Sequence, residues 1–120
     1  MAQQATPQEN DAEKAVRDYQ TVQEQLRSAT LQFDQLQVQK AELAKAKDEV
    51  SGSSGKVYIT MGGVIVETTK DKALADIKDK SELADVRIGS LTKQLNDLRA
   101  KEKQLGEKLT QLYKQSQGPS

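Results

Sequence analysis

Apolar residues recur along the first part of the chain at alternating steps of four and three residues. The recurring positions are Ala15, Tyr19, Val22, Leu26, Ala29, Phe33, Leu36, Lys40, Leu43, Lys47 and Val50. Nine of these eleven positions are apolar, and this heptad rhythm is typical of a coiled-coil helix. Thr6, Pro7 and Glu9 form a helix-start pattern. We therefore predict a disordered segment over residues 1–5 and a helix over residues 6–50.

A second heptad series occupies the last part of the chain. Its positions are Leu74, Ile77, Ser81, Ala84, Ile88, Leu91, Leu95, Leu98, Glu102, Leu105, Leu109, Leu112 and Ser116. A capping-box pattern at Thr68–Asp71 precedes it, so a second helix is predicted over residues 70–116. The tail, residues 118–120, contains glycine and proline and is predicted to be disordered. Residues 51–55 are glycines and serines and predict a flexible connector.

Between the two helices, residues 56–69 are rich in β-branched side chains and are interrupted by Gly62-Gly63. Glycine adopts positive φ without a Cβ penalty, so this pair predicts a two-residue primed turn between two short strands. Such a turn pairs Met61 with Val64 and Ile59 with Val66, and these four side chains share one face of the hairpin with Val57. The other face holds Tyr58, Thr60, Ile65, Glu67 and Thr69.

The first hairpin face is almost wholly apolar, although an isolated two-stranded hairpin is only marginally stable in water and leaves both edges unpaired. We expect strands from other chains to complete it. The predicted assembly hairpin consists of Val57, Ile59, Met61, Gly62, Gly63, Val64 and Val66.

Two helices of similar length joined by a hairpin are expected to lie antiparallel, each about 60 Å long. The matching register, in which the numbers of facing residues add up to 124, opposes Leu26 to Leu98 and Phe33 to Leu91 in large apolar layers, and Lys40 to Ala84 nearer the hairpin. Lys40 and Lys47 are expected to extend their ammonium groups into water from the seam, which is the line of heptad positions between the helices. Towards the chain ends the layers are poorer, because Val22 faces Glu102. The helix ends are therefore expected to fray and to expose apolar side chains. Gly106 favours fraying, because glycine inside a helix is about 1 kcal/mol less stable than alanine.

Composition narrows the function. The 18 basic and 18 acidic residues cancel, so the charge provides no long-range attraction to nucleic acid or to an anionic membrane. The chain has no cysteine and no histidine, which removes disulfides and the usual zinc ligands. We expect no cofactor and no metal. Residues 1–14 lack a signal-peptide pattern and no segment is long and apolar enough to span a membrane, so a cytoplasmic protein is expected.

The order of heptad helix, hairpin with Met-Gly-Gly at its turn and second heptad helix resembles the prefoldin family, in particular its β class. The resemblance covers about residues 10–115. Its most specific parts are Lys56-Val57-Tyr58 and the stretch from Met61 to Glu67, and the glutamine-rich stretch from Tyr19 to Leu26 is similar as well. A single hairpin distinguishes the β class from the α class, which has two.

The resemblance implies an all-α-dominated fold in one domain, residues 6–117, whose hairpin contributes strands to an intersubunit β-barrel. It also implies a heterohexamer of α-class and β-class subunits. Such a complex holds unfolded polypeptides at the ends of its coiled coils, without ATP, and delivers them to a group II chaperonin. The expected client-binding side chains, called the tip residues below, are Tyr19, Val22, Leu105, Leu109, Leu112 and Tyr113.

Two other readings stay open. A structural coiled-coil scaffold or tether explains the heptads equally well, but it gives the hairpin no role. An enzyme has little support, because the sequence contains no nucleophile–base pair and no metal-binding constellation. Gly62-Gly63 is not a phosphate-binding loop, because no Gly-Lys-Ser or Gly-Lys-Thr element follows it.

Overall fold

The computed structural model describes the backbone of residues 7–117 and the side-chain surroundings of residues 10–116. Four elements follow in order: α1 (Pro7–Ser51), β1 (Val57–Met61), β2 (Val64–Thr68) and α2 (Lys70–Gln117). Two long helices joined by a hairpin confirm the predicted fold class. The predicted disordered ends, residues 1–5 and 118–120, and the predicted helix cap Thr6 lie outside the described residues.

The chain divides into two compact units, which are described separately. The terminal unit contains Met1–Leu31 and Thr92–Ser120, and the hairpin unit contains Gln32–Leu91. All the tip residues belong to the terminal unit, and the whole assembly hairpin belongs to the hairpin unit. The single domain predicted over residues 6–117 stays a prediction.

In both units the buried helix side chains occupy predicted heptad positions, with Ala73 as the exception. In the terminal unit the buried ones are Ala15, Val22, Ala29, Leu95 and Leu98. In the hairpin unit the helices bury Ala73, Ile77, Ala84 and Leu91. Phe33, Leu36, Leu43, Val50 and Ile88 are half-buried there. Removing such apolar side chains from water is the main stabilising contribution to a helix pair that is polar elsewhere.

The two helices pair within one residue of the predicted register. In the hairpin unit, the Nζ atom of Lys40 lies 2.6 Å from Oδ1 of Asp85, where the prediction opposed Lys40 to Ala84. In the terminal unit, the ring of Tyr19 approaches Gly106, where the prediction opposed it to Leu105. Both observed partners lie one residue further along α2 than predicted.

Near the hairpin, two lysines at heptad positions stay out of the buried seam. Lys40 and Lys47 are both exposed, as expected for lysines that extend from the seam into water, and Ala46 beside Lys47 is half-buried. Lysine is costly to bury, so its ammonium group stays in water while a neighbouring alanine turns inward. On α2, Ala73 is buried at the helix start, whereas the predicted seam residue Leu74 is only half-buried.

The start of α2 is capped by Thr69. Its Oγ1 atom accepts a hydrogen bond from the Lys72 backbone N–H at 3.2 Å, and its carbonyl accepts the first helical bond from Ala73 N–H at 2.9 Å. Thr69 therefore satisfies one of the free N–H groups at the helix end. The capping pattern predicted at Thr68–Asp71 is thus realised at Thr69. The third helical residue is a lysine, so the reciprocal half of a capping box is missing.

Candidate functional site

The turn of the hairpin has the predicted primed geometry. Gly62 has φ 54° and Gly63 has φ 82°, and these are the only positive φ values among the described residues. Met61 pairs with Val64, Ile59 with Val66 and Val57 with Thr68, which confirms the predicted register. Because side chains alternate across a strand, this register puts the predicted apolar side chains together on one face.

Within residues 7–117, β1 and β2 pair only with each other. The outer edge of each strand therefore presents backbone N–H and C=O groups without a strand partner in that part of the chain. Soluble proteins usually protect such edges, because they can pair with strands from other molecules. The hairpin thus has free backbone groups available for a further strand.

Side-chain exposure rises from the base of the hairpin to its turn. Val57 is buried at the base and Ile59 is half-buried, whereas Met61 is 60% and Val64 is 61% exposed. The apolar surface near the turn is therefore large and open to a partner.

The opposite face of the hairpin also exposes apolar side chains. Ile65 is 72% exposed and Tyr58 is 55% exposed. The prediction assigned only the first face to assembly and left these two residues out. Their aromatic and β-branched character in alternating strand positions was the signal that could have included them.

The base of the hairpin is tied by local polar contacts. The Nζ atom of Lys70 donates to the Ser53 carbonyl at 3.5 Å, and Gly55 N–H donates to Ser53 Oγ at 3.3 Å. Lys56 and Glu67 form an exposed ion pair across the strands at 3.9 Å. The segment predicted as a flexible connector therefore makes a contact with the start of α2.

The tip residues are less exposed than the sequence predicts. Leu105, Leu109, Leu112 and Tyr19 are half-buried, and Tyr113 is exposed. The prediction that Val22 is exposed is wrong, because only 6% of it is accessible. Val22 lines a groove with Leu105 and the long side chains of two lysines, whose methylene stems can cover a short side chain.

Two local features weaken α2 beside Leu105 and Leu109. Gly106 lies inside the helix, where glycine costs about 1 kcal/mol relative to alanine. Four residues later, Thr110 Oγ1 donates a hydrogen bond to the Gly106 carbonyl at 3.0 Å. A side chain that bonds back to this carbonyl slightly destabilises and often bends a helix. These two features weaken the helix where the tip leucines lie.

The groove in the terminal unit has a volume of about 450 Å³. Its lining residues are Asp18, Thr21, Val22, Lys101, Gln104, Leu105 and Lys108. Two tip residues, Val22 and Leu105, thus lie in one groove with three charged side chains. The arrangement suits a ligand that has both apolar and charged groups.

The described residues give little support to other site chemistry. Between residues 7 and 117 no cluster of three or more carboxylate, histidine or cysteine side chains could hold a metal ion. Neither helix is apolar enough over the described residues to cross a membrane. The assembly hairpin and the terminal-unit groove contain predicted site residues and are therefore treated as candidate sites.

Comparison with known proteins connects these sites to one family. The family model described as "Prefoldin subunit" matches residues 13–116. The prefoldin subunit beta of Thermococcus kodakarensis is 40% identical over 97 residues, which cover 79% of this chain and 77% of that protein. The prefoldin subunit beta of Caldivirga maquilingensis is 31% identical over 99 residues, covering 81% of this chain and 82% of that protein.

A solved structure has the same arrangement. The crystal structure of the prefoldin beta subunit from Thermococcus strain KS-1 superposes with a TM-score of 0.76 at 32% identity. The match covers 98% of this chain and all of that one (100%). The beta2 subunit from the same strain gives a TM-score of 0.61 at 26% identity, over 82% of this chain and 98% of that one.

Proposed function

The chain belongs to the prefoldin family and to its β class, and on that premise we propose that it is one subunit of an ATP-independent chaperone. Family membership supports a co-chaperone role. In the proposed complex, four β-class and two α-class subunits join through their hairpins in the cytoplasm. The complex holds unfolded polypeptides at the tip residues and delivers them to a group II chaperonin, with no enzymatic step.

The observation that carries this proposal is the incomplete hairpin. It combines unpaired strand edges within the described chain with exposed Met61 and Val64 near the turn. Each such side chain contributes roughly 1.5–3 kcal/mol when it is fully buried, and a third strand removes the free edge. A scaffold or tether that uses only its helices has no need of this surface. Strand addition from neighbouring subunits is the arrangement that explains both features.

A double substitution on one face tests the assembly role. Replacing Ile59 and Val66 by lysine places two charges on the apolar face, so assembly with an α-class prefoldin subunit should be lost. The helices lie outside β1 and β2, and helix content should stay nearly constant. Native mass spectrometry and circular dichroism measure these two outcomes. A full-size complex of the double variant would contradict the assembly role.

The opposite face provides a control with the same change of charge. Thr60→Lys adds one positive charge and Glu67→Gln removes one negative charge, so the net charge of the two strands changes by the same amount, but both residues lie on the other face. This variant loses the exposed ion pair with Lys56, which is worth little. It should assemble better than the Ile59 and Val66 variant. Equal loss in both variants would show that charge alone, and not the apolar face, controls assembly.

The tip residues are the proposed client surface because they combine apolar side chains with a weakened helix. Leu105, Leu109 and Leu112 are half-buried, so a small opening of α2 increases their exposure. Unfolded polypeptides expose scattered apolar side chains that such a surface can bind. Several copies in one complex add weak contacts through high effective concentration.

Serine at Leu105, Leu109 and Leu112 tests this role. The triple variant should lose the ability to suppress aggregation of an unfolded client, while it still assembles through the hairpin. If these leucines only pack the coiled coil, as in a scaffold, helix content should fall and holding should not change. Circular dichroism, native mass and a client aggregation assay on this variant separate the two roles.

A further inference from the structure

A second groove, called the base groove, lies in the hairpin unit beside the start of α2. It has a volume of about 410 Å³. Its apolar lining includes Ile77, which is buried, and Leu74, which is half-buried. The groove lies where two seam positions lack apolar bulk, because Lys47 extends into water and Ser81 is short. An apolar side chain from outside therefore has room to pack against Leu74 and Ile77.

The opposite face of the hairpin, away from Met61 and Val64, exposes two large side chains that need a cover. Tyr58 is opposite Glu67 in the strand pair and Ile65 is two residues from Glu67, so Tyr58 and Ile65 are diagonal neighbours on this face. Ile65 is 72% exposed, so the hairpin does not fill the base groove of its own chain. Strand addition leaves this face open too, because a new strand extends the sheet in its own plane.

The charges on the two surfaces are compatible with contact. Lys78 and Glu82 line the base groove, and neither forms an ion pair with a residue that the structure describes. The opposite face of the hairpin carries Glu67, whose exposed pair with Lys56 at 3.9 Å is worth little. Each surface thus offers one acidic and one basic group, so contact between them leaves no unbalanced charge.

Neighbouring copies of this chain bring such surfaces close together. The base groove and the hairpin both belong to the hairpin unit, so strand pairing between hairpins also places a groove near a neighbouring hairpin. In a closed ring of four copies and two α-class subunits, the α-class subunits cannot keep all four copies apart. At least two copies of this chain are therefore neighbours, and a second copy is the occupant that the groove is certain to meet.

We propose that the base groove of one copy receives Ile65 and Tyr58 from the opposite hairpin face of a neighbouring copy. The contact is head-to-tail, because one copy supplies the groove and the next supplies the hairpin. It adds to strand pairing and ties the helices of one copy to the hairpin of the other. This inference rests on the proposed assembly and names the partner of a face that strand addition leaves open.

Photo-cross-linking tests the contact in the assembled complex. The chain has no cysteine, so Ala75→Cys places a single thiol in the groove lining for a benzophenone maleimide. The labelled variant is mixed with heavy-isotope parent chain and an α-class subunit, and is irradiated once native mass spectrometry detects the full-size complex. Links to the heavy peptide that contains Tyr58 and Ile65 are expected. Val86→Cys, exposed on α2 outside the groove, should lack them.

Filling the groove should prevent the contact. Leucine at Ser81 occupies the space beside Ile77 and completes the seam, so this variant should be more stable but lose the cross-links. Ser81→Leu and Ile65→Ser should each raise the concentration at which the complex dissociates about tenfold. Together they should do little more, because both remove the same contact. Glu102→Leu, at a half-buried polar seam position of the terminal unit, is the matched control and should keep the links.

Several outcomes would overturn the proposal. They are a full-size complex whose groove links only to its own chain or to the α-class subunit, equal links from the Val86 control, or unchanged links in Ser81→Leu. Loss of the links when unfolded client is added would show that the groove takes client instead. A failure of the proposed function gives a different result, because no full-size complex then forms; this inference falls with it.

Discussion

Alanine at Gly106 should stabilise the terminal unit, because this glycine is not needed for space or for backbone conformation. Gly106 lies within α2, and its φ is not positive. A Cβ atom added there would lie 3.7 Å from Cε2 of Tyr19, which is an ordinary van der Waals contact. The substitution therefore adds a contact without a clash.

The size of the effect follows from two contributions. Alanine is more favourable than glycine by about 1 kcal/mol in a helix interior. The new methyl group is partly covered by Tyr19, which adds about 0.4 kcal/mol, or half the value for one buried methylene. The expected increase in the free energy of unfolding is thus about 1.4 kcal/mol. For a chain of this length it corresponds to a rise in Tm of about 5 °C.

Gly89→Ala is the matched control. Gly89 also lies in α2, but it is exposed and a Cβ atom there meets nothing within 4 Å. The free energy of unfolding of the Gly89→Ala variant should therefore rise only by about 1 kcal/mol, which is the difference in helix propensity between alanine and glycine. Thermal and urea unfolding followed by circular dichroism measure both variants against the parent chain. Hydrogen exchange of the amides around Gly106 should slow in Gly106→Ala more than in Gly89→Ala.

The same pair of variants tests whether the tip residues must open. If the free energy of opening the terminal unit rises by about 1.4 kcal/mol, the fraction of molecules with an open tip falls roughly tenfold. The Gly106→Ala variant should therefore hold less unfolded client. The Gly89→Ala variant should hold as much as the parent chain. A Gly106→Ala variant less stable than the parent, beside a stabilised Gly89→Ala, would refute the reasoning about the space near Tyr19. Stabilisation without loss of holding would show that opening is not needed.

Three further outcomes follow from the structure. Leu95→Ala removes a buried seam side chain and should lower the free energy of unfolding, measured by thermal unfolding, by about 3 kcal/mol. Tyr113→Ala removes an exposed side chain and should be nearly neutral, and equal effects of the two variants would contradict the burial pattern. Gly63→Val forces a β-branched residue into φ 82°, so native mass spectrometry should detect lost assembly, with helix content retained; unimpaired assembly would mean the turn geometry is dispensable. Neither ATP nor a chelator should alter client holding in an aggregation assay, and dependence on either would contradict the proposed function.

The hairpin could be predicted almost completely because its signals are local. Gly62-Gly63 specifies the turn, and a two-residue turn leaves only one pairing of the flanking strands. The register of the strands then determines which side chains share a face. Exposure could not be predicted in the same way, because it depends on the surroundings of the hairpin. Ile65 was left out of the candidate site because the prediction assigned only the opposite, more apolar face to assembly.

The seam was predictable where large apolar residues dominate and less so where small or long ones occur. Leu95 and Leu98 are buried as predicted. Ala46 and Ala73 were missed because alanine occurs on exposed and buried helix faces alike, so the pattern gives it little weight. Val22 was expected to be exposed because it was judged by its partner Glu102 alone, whereas neighbouring side chains in the groove also cover it.

The mass of the native complex tests the central claim, that the hairpin of this chain is an assembly surface of a prefoldin-type chaperone. The full chain is mixed with an α-class prefoldin subunit and analysed by native mass spectrometry, beside the variant with lysine at Ile59 and Val66. We predict a complex of four copies of this chain with two α-class subunits, and no such complex from the variant. A chain that stays alone, or one that assembles equally well with the altered hairpin, would contradict the account.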